Sequence, residues 1–406
     1  MSASRRTDRE EAVSNPEMTA QAGPKTSYCP YPLYAQLRQQ GVAFVEEVNA
    51  FMVTRADDID AVLRDVETFS SPDALGLPPI ESRSGATKTG FYLITSDPPE
   101  HTRRRRSAAR AFTARRIAPF EQQIRATFTE LIEGLRGRDD VDFVADFAIK
   151  LPIAVIATVL GVPEADTVEM RRLSEKVLAS LTSSPDLGGF IRACEEFGAL
   201  LAPALEAAAG VGQETTILQT IAASGLDAED ATRFVLELLF ADNVTTADAI
   251  SSSVRLLAED PWLADQLRQD PSRLATFVKE SLRLESPVQG LFRTATRDTE
   301  LGGTPIPAGA RLLVSFGAGN RDARLTERPA EINLDRVSPH AHLAFGRGEH
   351  TCLGHALARL EARTALEVLL HTVRRFELAV APEQLDYQPG LTVRHLQSLP
   401  VRLYWS

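Results

Sequence analysis

Ten residues near the C-terminal end constrain this chain more than any other stretch: Phe345-Gly346-Arg347-Gly348-Glu349-His350-Thr351-Cys352-Leu353-Gly354. Glycines space the segment, and it runs directly into the apolar, alanine-rich pattern of a helix. A thiolate on Cys352 would gain from backbone N–H groups freed around Gly346, Gly348 and Gly354, and from the positive end of the helix beside it. Such a seat suits a soft anionic ligand to a metal. The plainer alternative is a buried, inert cysteine in an ordinary loop.

The segment resembles the haem-ligand loop of the cytochrome P450 family, Phe-Gly-x-Gly-x-His-x-Cys-x-Gly, and all six fixed positions are met. The resemblance extends over nearly the whole chain after Pro30. It implies a mainly α fold with small β-sheets, a single domain enclosing haem b, and a monooxygenase that uses dioxygen. A thiolate axial ligand pushes electron density onto iron and favours O–O cleavage, so Cys352 is the expected iron ligand. Phe345, Gly346, Gly354 and Ala241 are implied as further haem neighbours.

The chain has 406 residues, 44% of them hydrophobic, enough for a large core. No apolar run approaches the ~20 residues that cross a bilayer, so no membrane association is expected. Residues 1–27 are polar and read as a disordered leader, and 28–406 as one domain. Cys29, Cys194 and Cys352 cannot all pair, which points to a reducing cytoplasm. A net charge of −11 argues against nucleic acid as partner. A monomer is expected.

Along the chain, Pro32 to Gln40 reads as a short helix, with strands at Val42 to Val45 and Phe51 to Thr54. From about Phe120 to Ala275 the pattern is mostly amphipathic helix, punctuated by Gly161-Val162-Pro163 and Asp260-Pro261. Strand-like runs return at Phe292 to Thr296, Arg311 to Ser315 and Val401 to Tyr404.

Glu280 and Arg283 are three residues apart and share a face of the helix Leu274 to Leu284. With Arg336 they resemble the family's Glu-x-x-Arg plus Arg network, a structural lock. Haem carries two propionates, which need cations at fixed spots. The resemblance supplies His101 and Arg105, which are i and i+4, together with Arg293 and His342. Arg103, Arg104 and Arg106 stay open between haem contacts and a solvated basic face.

Phe234 to Ile250 is strongly apolar and resembles the oxygen-handling Ala-Gly-x-Asp/Glu-Thr-Thr segment around Ala241-Asp242-Asn243-Val244-Thr245-Thr246. Thr245 is the matching alcohol, able to donate a hydrogen bond to dioxygen, and an acid is expected to relay protons. Val244 holds the acid's usual place, however, and Asp242 replaces the glycine. Three readings stay open. Asp242 substitutes as the acid beside Thr245 and Thr246; or water or the substrate relays protons while Asp242 faces a basic group; or the chemistry is coupling, peroxide-driven or nitrogen-oxide.

Pocket walls are implied at Leu75 to Tyr92, Glu237 to Thr246, Val288 to Phe292 and Val393 to Leu396, with Val288, Leu291, Phe292, Asn243 and Leu396 as candidate contacts. Most are apolar, so an apolar small molecule is the expected substrate, to be hydroxylated, demethylated or epoxidised. Gly85, Gly90 and the serines around Ser82 suggest a mobile lid. Arg110, Arg115, Arg116 and Arg347 would steer an acidic donor, expected to be a ferredoxin reduced by a flavin-containing ferredoxin reductase. Two other classes stay open. A haem-thiolate sensor or carrier would not need Thr245. A zinc cluster of His350, Cys352 and His355 would match no common zinc module.

Overall fold

The computed structural model describes residues 29–76, 91–162, 168–170, 172–173, 176, 187–209, 215–336 and 341–405. The expected leader, and all of the suggested lid except residues 75, 76, 91 and 92, lie outside the described residues. The chain is mainly helical with small sheets.

Its longest helix is Ala228–Glu259, 32 residues, which corresponds to about 48 Å of rise. Asp227 caps its start by accepting from the Asp230 N–H at 2.7 Å, and Pro261 stops it, since proline cannot continue the hydrogen-bond ladder. Asp260 then caps the next helix, Pro261–Gln269, through the Leu263 N–H. The main core gathers around Phe128, Phe143, Phe147, Phe234 and Phe277, none more than 1% exposed. The helix His355–Thr372, which follows the cysteine loop, packs against Ala228–Glu259, Leu274–Leu284 and Glu121–Glu133. The cysteine loop is thereby carried by the middle of the core.

A five-stranded sheet runs in the order Ala43–Val45, Ala50–Val53, Arg311–Val314, Leu291–Ala295, Phe69–Ser70. Its pairs are antiparallel apart from Ala50–Val53 with Arg311–Val314. Pro400–Trp405 pairs with Asp140–Asp142 and Val373–Leu378 in a second sheet. Strand Asp140–Asp142 breaks the helical stretch expected from Phe120 onward. Its acidic residues give no β signal of their own, and the C-terminal strand recruits it. Among the described residues, no helix is long and apolar enough to cross a membrane.

Candidate active site

The cysteine loop closes on itself through Cys352 N–H to the Phe345 carbonyl at 2.8 Å and Gly346 N–H to the Leu343 carbonyl at 2.8 Å. Gly348 takes a φ of 70°, and a Cβ there would lie 2.4 Å from the Leu63 carbonyl oxygen, so only glycine fits. Arg347 ties the loop to the same neighbouring helix through Asp60 at 2.9 Å. Burial pushes the Cys352 thiol up, while the Gly354 backbone N–H, Arg105 and Arg359 favour its thiolate and Asp242 opposes it. Arg359 lies over the Phe345 ring, 4.7 Å from its centroid. A metal binding here would displace the thiol proton.

Three basic side chains from two distant segments, His101, Arg105 and Arg293, meet His350 of this loop. His101 is fully buried and stacks on His350; its Nδ1 lies 3.7 Å from a Glu349 carboxylate oxygen, and neither ring nitrogen has a hydrogen-bond partner among the described residues. Arg293 is 2% exposed, donates to the Phe292 carbonyl, and pairs with no carboxylate among the described residues. Burial pushes it down to about 10, with Asp97 acting against that. Arg105 donates to the Thr351 carbonyl at 2.5 Å. Burial, then Arg293, His101 and Arg105, push His350 down to about 2. A buried guanidinium without an acid, beside an unsatisfied imidazole and a thiol, calls for an anionic group carrying a metal. Haem b, with iron and two propionates, fits that demand. His342 is 6% exposed, accepts from the Ala344 N–H at 3.3 Å, and packs against Phe345. Arg104 instead binds Glu100 and the Tyr92 carbonyl, and Arg103 binds Glu100 at the surface.

On the long helix, the Thr245 hydroxyl donates to the Ala241 carbonyl at 2.6 Å. Thr246 donates to Asp242 Oδ1 at 3.2 Å, and burial pushes the Asp242 carboxyl up to about 7. One turn earlier, Glu237 accepts three successive backbone N–H groups, from Tyr92, Leu93 and Ile94, at 2.5, 2.6 and 2.9 Å. Burial raises its carboxyl, and these amides act against the rise. Arg233 and Arg104 hold the Phe91 and Tyr92 carbonyls of the same segment. The sequence offered Glu237 only as part of a pocket wall; a lone acid inside the apolar run from Phe234 to Phe240 was its one signal.

Glu280 Oε1 lies 2.9 Å from Arg283 Nε and 2.7 Å from Arg336 Nε, and Glu280 Oε2 accepts from the Asn333 N–H. Burial would raise the Glu280 carboxyl, but Arg283 and Arg336 hold it below the usual carboxylate range. A second hub escaped sequence reading. Glu285, 6% exposed, gathers Arg255 at 3.2 Å, Arg321 at 3.0 Å, Arg394 at 3.0 Å and the Tyr31 hydroxyl at 3.1 Å.

Of the pocket candidates, Val288 and Leu291 are half-buried. Phe292 is buried in a core cluster. Strand alternation sets it opposite Leu291 and Arg293, and it packs with Tyr34, Met52 and Leu313 beneath the Arg311 guanidinium. Leu396 is likewise wholly inside the main core, its N–H bound to Asp248, and Asn243 is 7% exposed. The zinc alternative finds no support. His350 turns to Ser71, His355 Nδ1 sits 2.9 Å from the Cys352 carbonyl, and no three His, Cys, Asp or Glu side chains among the described residues are arranged to hold a metal ion.

The family model described as Cytochrome P450 matches residues 213–396. Cytochrome P450 109 of Bacillus spizizenii is 33% identical over 386 residues, 92% of each chain. Nocardicin C N-oxygenase of Nocardia uniformis subsp. tsuyamanensis is 33% identical over 383 residues, 91% of this chain and 95% of the relative. Among solved structures, CYP109E1 from Bacillus megaterium in complex with testosterone superposes with a TM-score of 0.82 at 29% identity, covering 92% of this chain and 99% of that one. With its fold and cysteine loop matched across almost the entire length of such relatives, the chain belongs to the cytochrome P450 family of haem b monooxygenases.

Proposed function

We propose that this enzyme inserts one oxygen atom of dioxygen into an apolar small organic molecule, by hydroxylation, demethylation or epoxidation. Haem b supplies dioxygen activation, fed by two electrons and two protons. Cys352 would supply the thiolate that ligates the haem iron. His101, Arg105, Arg293 and His342 would hold the propionates, and Phe345, Gly346, Gly354 and Ala241 would line the haem site. The observation that carries this reading is the buried Arg293, in no ion pair with a carboxylate among the described residues, meeting His101, Arg105 and His350 beside the Cys352 thiol.

Thr245 rests with its proton on the Ala241 carbonyl and turns it towards dioxygen. Asp242 stands in for the acid missing at Val244, and Thr246 orients its carboxylate. Val288 and Leu291 face the substrate. The testosterone complex of the Bacillus megaterium relative supports an apolar substrate. Electrons come from a ferredoxin and its flavin-containing reductase, which dock on the side carrying the exposed Arg110 and Arg115. The test reverses the charge of Arg110 and Arg115. It should lower ferredoxin-supported turnover at low salt and matter less at high salt.

The decisive test is Cys352→Ser. The reduced carbon monoxide complex of the unaltered protein should absorb far to the red, and the variant should lose that band together with activity; an unchanged spectrum would refute the assignment. A second reading, chemistry other than oxygen insertion, is favoured by Val244 at the acid position. Hydrogen peroxide released per electron separates the two. Tight coupling that collapses in Asp242→Asn supports the relay, and coupling indifferent to that change supports the second reading.

A further inference from the structure

Asp248 sits on the long helix Ala228–Glu259, three residues beyond Thr245, and is 2% exposed. Its Oδ1 lies 2.8 Å from His395 Nδ1 and accepts the Leu396 N–H at 3.3 Å. Its Oδ2 is buried with no hydrogen-bond partner among the described residues. His395 and Leu396 form a short strand that packs on this helix and pairs with Tyr387–Gln388. The chain just before that strand is tied elsewhere. Val393 forms a bridge with Val288, the Arg394 N–H donates to the Pro287 carbonyl at 2.8 Å, and the Gln289 N–H donates to the Thr392 carbonyl at 2.7 Å. Residues 392–396 are thus held at one end by the segment Pro287–Gln289 and at the other by a single acid of the long helix.

An amide at position 248 could make the same two hydrogen bonds at lower desolvation cost, so the charge adds something the bonds alone do not. Burial raises the Asp248 carboxyl, and His395, the Leu396 N–H and Arg394 act against the rise. Burial would lower His395, but Asp248 outweighs it and leaves the imidazole above its ordinary value. The other charged and titratable groups around the pair form one cluster. Arg394 favours the Asp248 carboxylate, binds Glu285 and lies over the Tyr387 ring, and Arg255 interacts with both Glu285 and Tyr387.

We propose that Asp248 and His395 are a positioning pair for the substrate: together they seat the strand His395–Leu396 on the long helix and so fix Val393 and its neighbour Val288 as one side of the pocket. The inference rests on the reading of Val288 as a substrate-facing residue. Protonated His395 completes an ion pair, and neutral His395 leaves one hydrogen bond to a buried carboxylate. Because His395 is raised, the full strength of the seat is present below about pH 6.5 and is lost as the pH rises through the folded value.

Hydrogen exchange of the haem-loaded, full-length protein reads the seat at the Arg394 and Gln289 amides, whose acceptors are the Pro287 and Thr392 carbonyls. Asp248→Ala and His395→Ala should each lower their protection roughly 10-fold or more. Asp248→Asn should restore protection and remove its pH dependence. Unchanged protection in Asp248→Ala, or a pH dependence that survives in Asp248→Asn, overturns the proposal; should Asp248→Ala not retain haem, His395→Ala decides. The pocket is read by the preference for phenylimidazole over imidazole, two probes that bind haem iron through the same ring and differ by one apolar group. Val288→Ala should lower that preference roughly 10-fold. His395→Ala and Asp248→Ala should lower it too, and Asp248→Asn should not. A preference lowered by Val288→Ala and indifferent to the pair overturns this inference and leaves the Val288 reading standing, whereas a preference unmoved by Val288→Ala removes both.

Discussion

The rings of His101 and His350 stack with their centroids 3.9 Å apart and their planes 28° from parallel. Both imidazoles are pushed down by burial, His350 to about 2 and His101 further by Arg105. The unfolded chain takes up protons on these histidines below about pH 6.5 and the folded one does not. Their contribution to stability is therefore present above that pH and declines as the pH falls through it. His350→Gln should flatten the acid side of the stability–pH curve, measured by urea unfolding at a series of pH values.

Removing the Glu280 charge leaves two arginines buried without their acid. Glu280→Gln should destabilise the protein by about 3–5 kcal/mol. Because Glu280 is held below its ordinary value, this contribution is present above the unfolded carboxylate pKa and is lost as the pH falls through the folded one. Urea midpoints of the two proteins should converge in acid.

Gly348→Ala would put a methyl group against the Leu63 carbonyl in a left-handed backbone. A cost of about 1–3 kcal/mol follows from the backbone conformation alone, and the close approach adds to it. Thermal unfolding should occur at lower temperature and haem should leave faster, whereas Gly137→Ala, with nothing within 4 Å, should show only the backbone cost.

Glu237→Gln exchanges an acceptor-only carboxylate for an amide with one acceptor oxygen, so one or more of the Tyr92, Leu93 and Ile94 amides loses its partner. Hydrogen exchange at those three amides should accelerate by roughly 10-fold or more, since a hydrogen bond to a charged group contributes about 1.5–3 kcal/mol. Exchange in the helix Glu121–Glu133 should stay unchanged.

What could be read from the chain was what lies close together along it. The Cys352 loop occupies ten consecutive residues, and Glu280 and Arg283 are one helical turn apart, so pattern alone suggested both. The meeting of His101, Arg293 and His350 depends on how a helix, a strand and a loop pack, and only the resemblance brought the first two together in advance. Apolar character alone does not say which face of a strand Phe292 takes; Arg293 beside it takes the other. Glu285 escaped because an isolated acid at or near a helix end looks solvent-facing until its neighbours are known.

Glu285 has a consequence for the molecule as a whole. Its four partners come from the first described helix, the long central helix, the turn before the cysteine loop and the last hairpin, so one carboxylate closes a ring through the entire chain. Glu285 completes its own set of partners only when Tyr31 and Arg394, from opposite parts of the chain, have arrived. Nascent or clipped fragments are thereby denied a native-like resting state, and the protein should melt as one unit instead of fraying from either terminus.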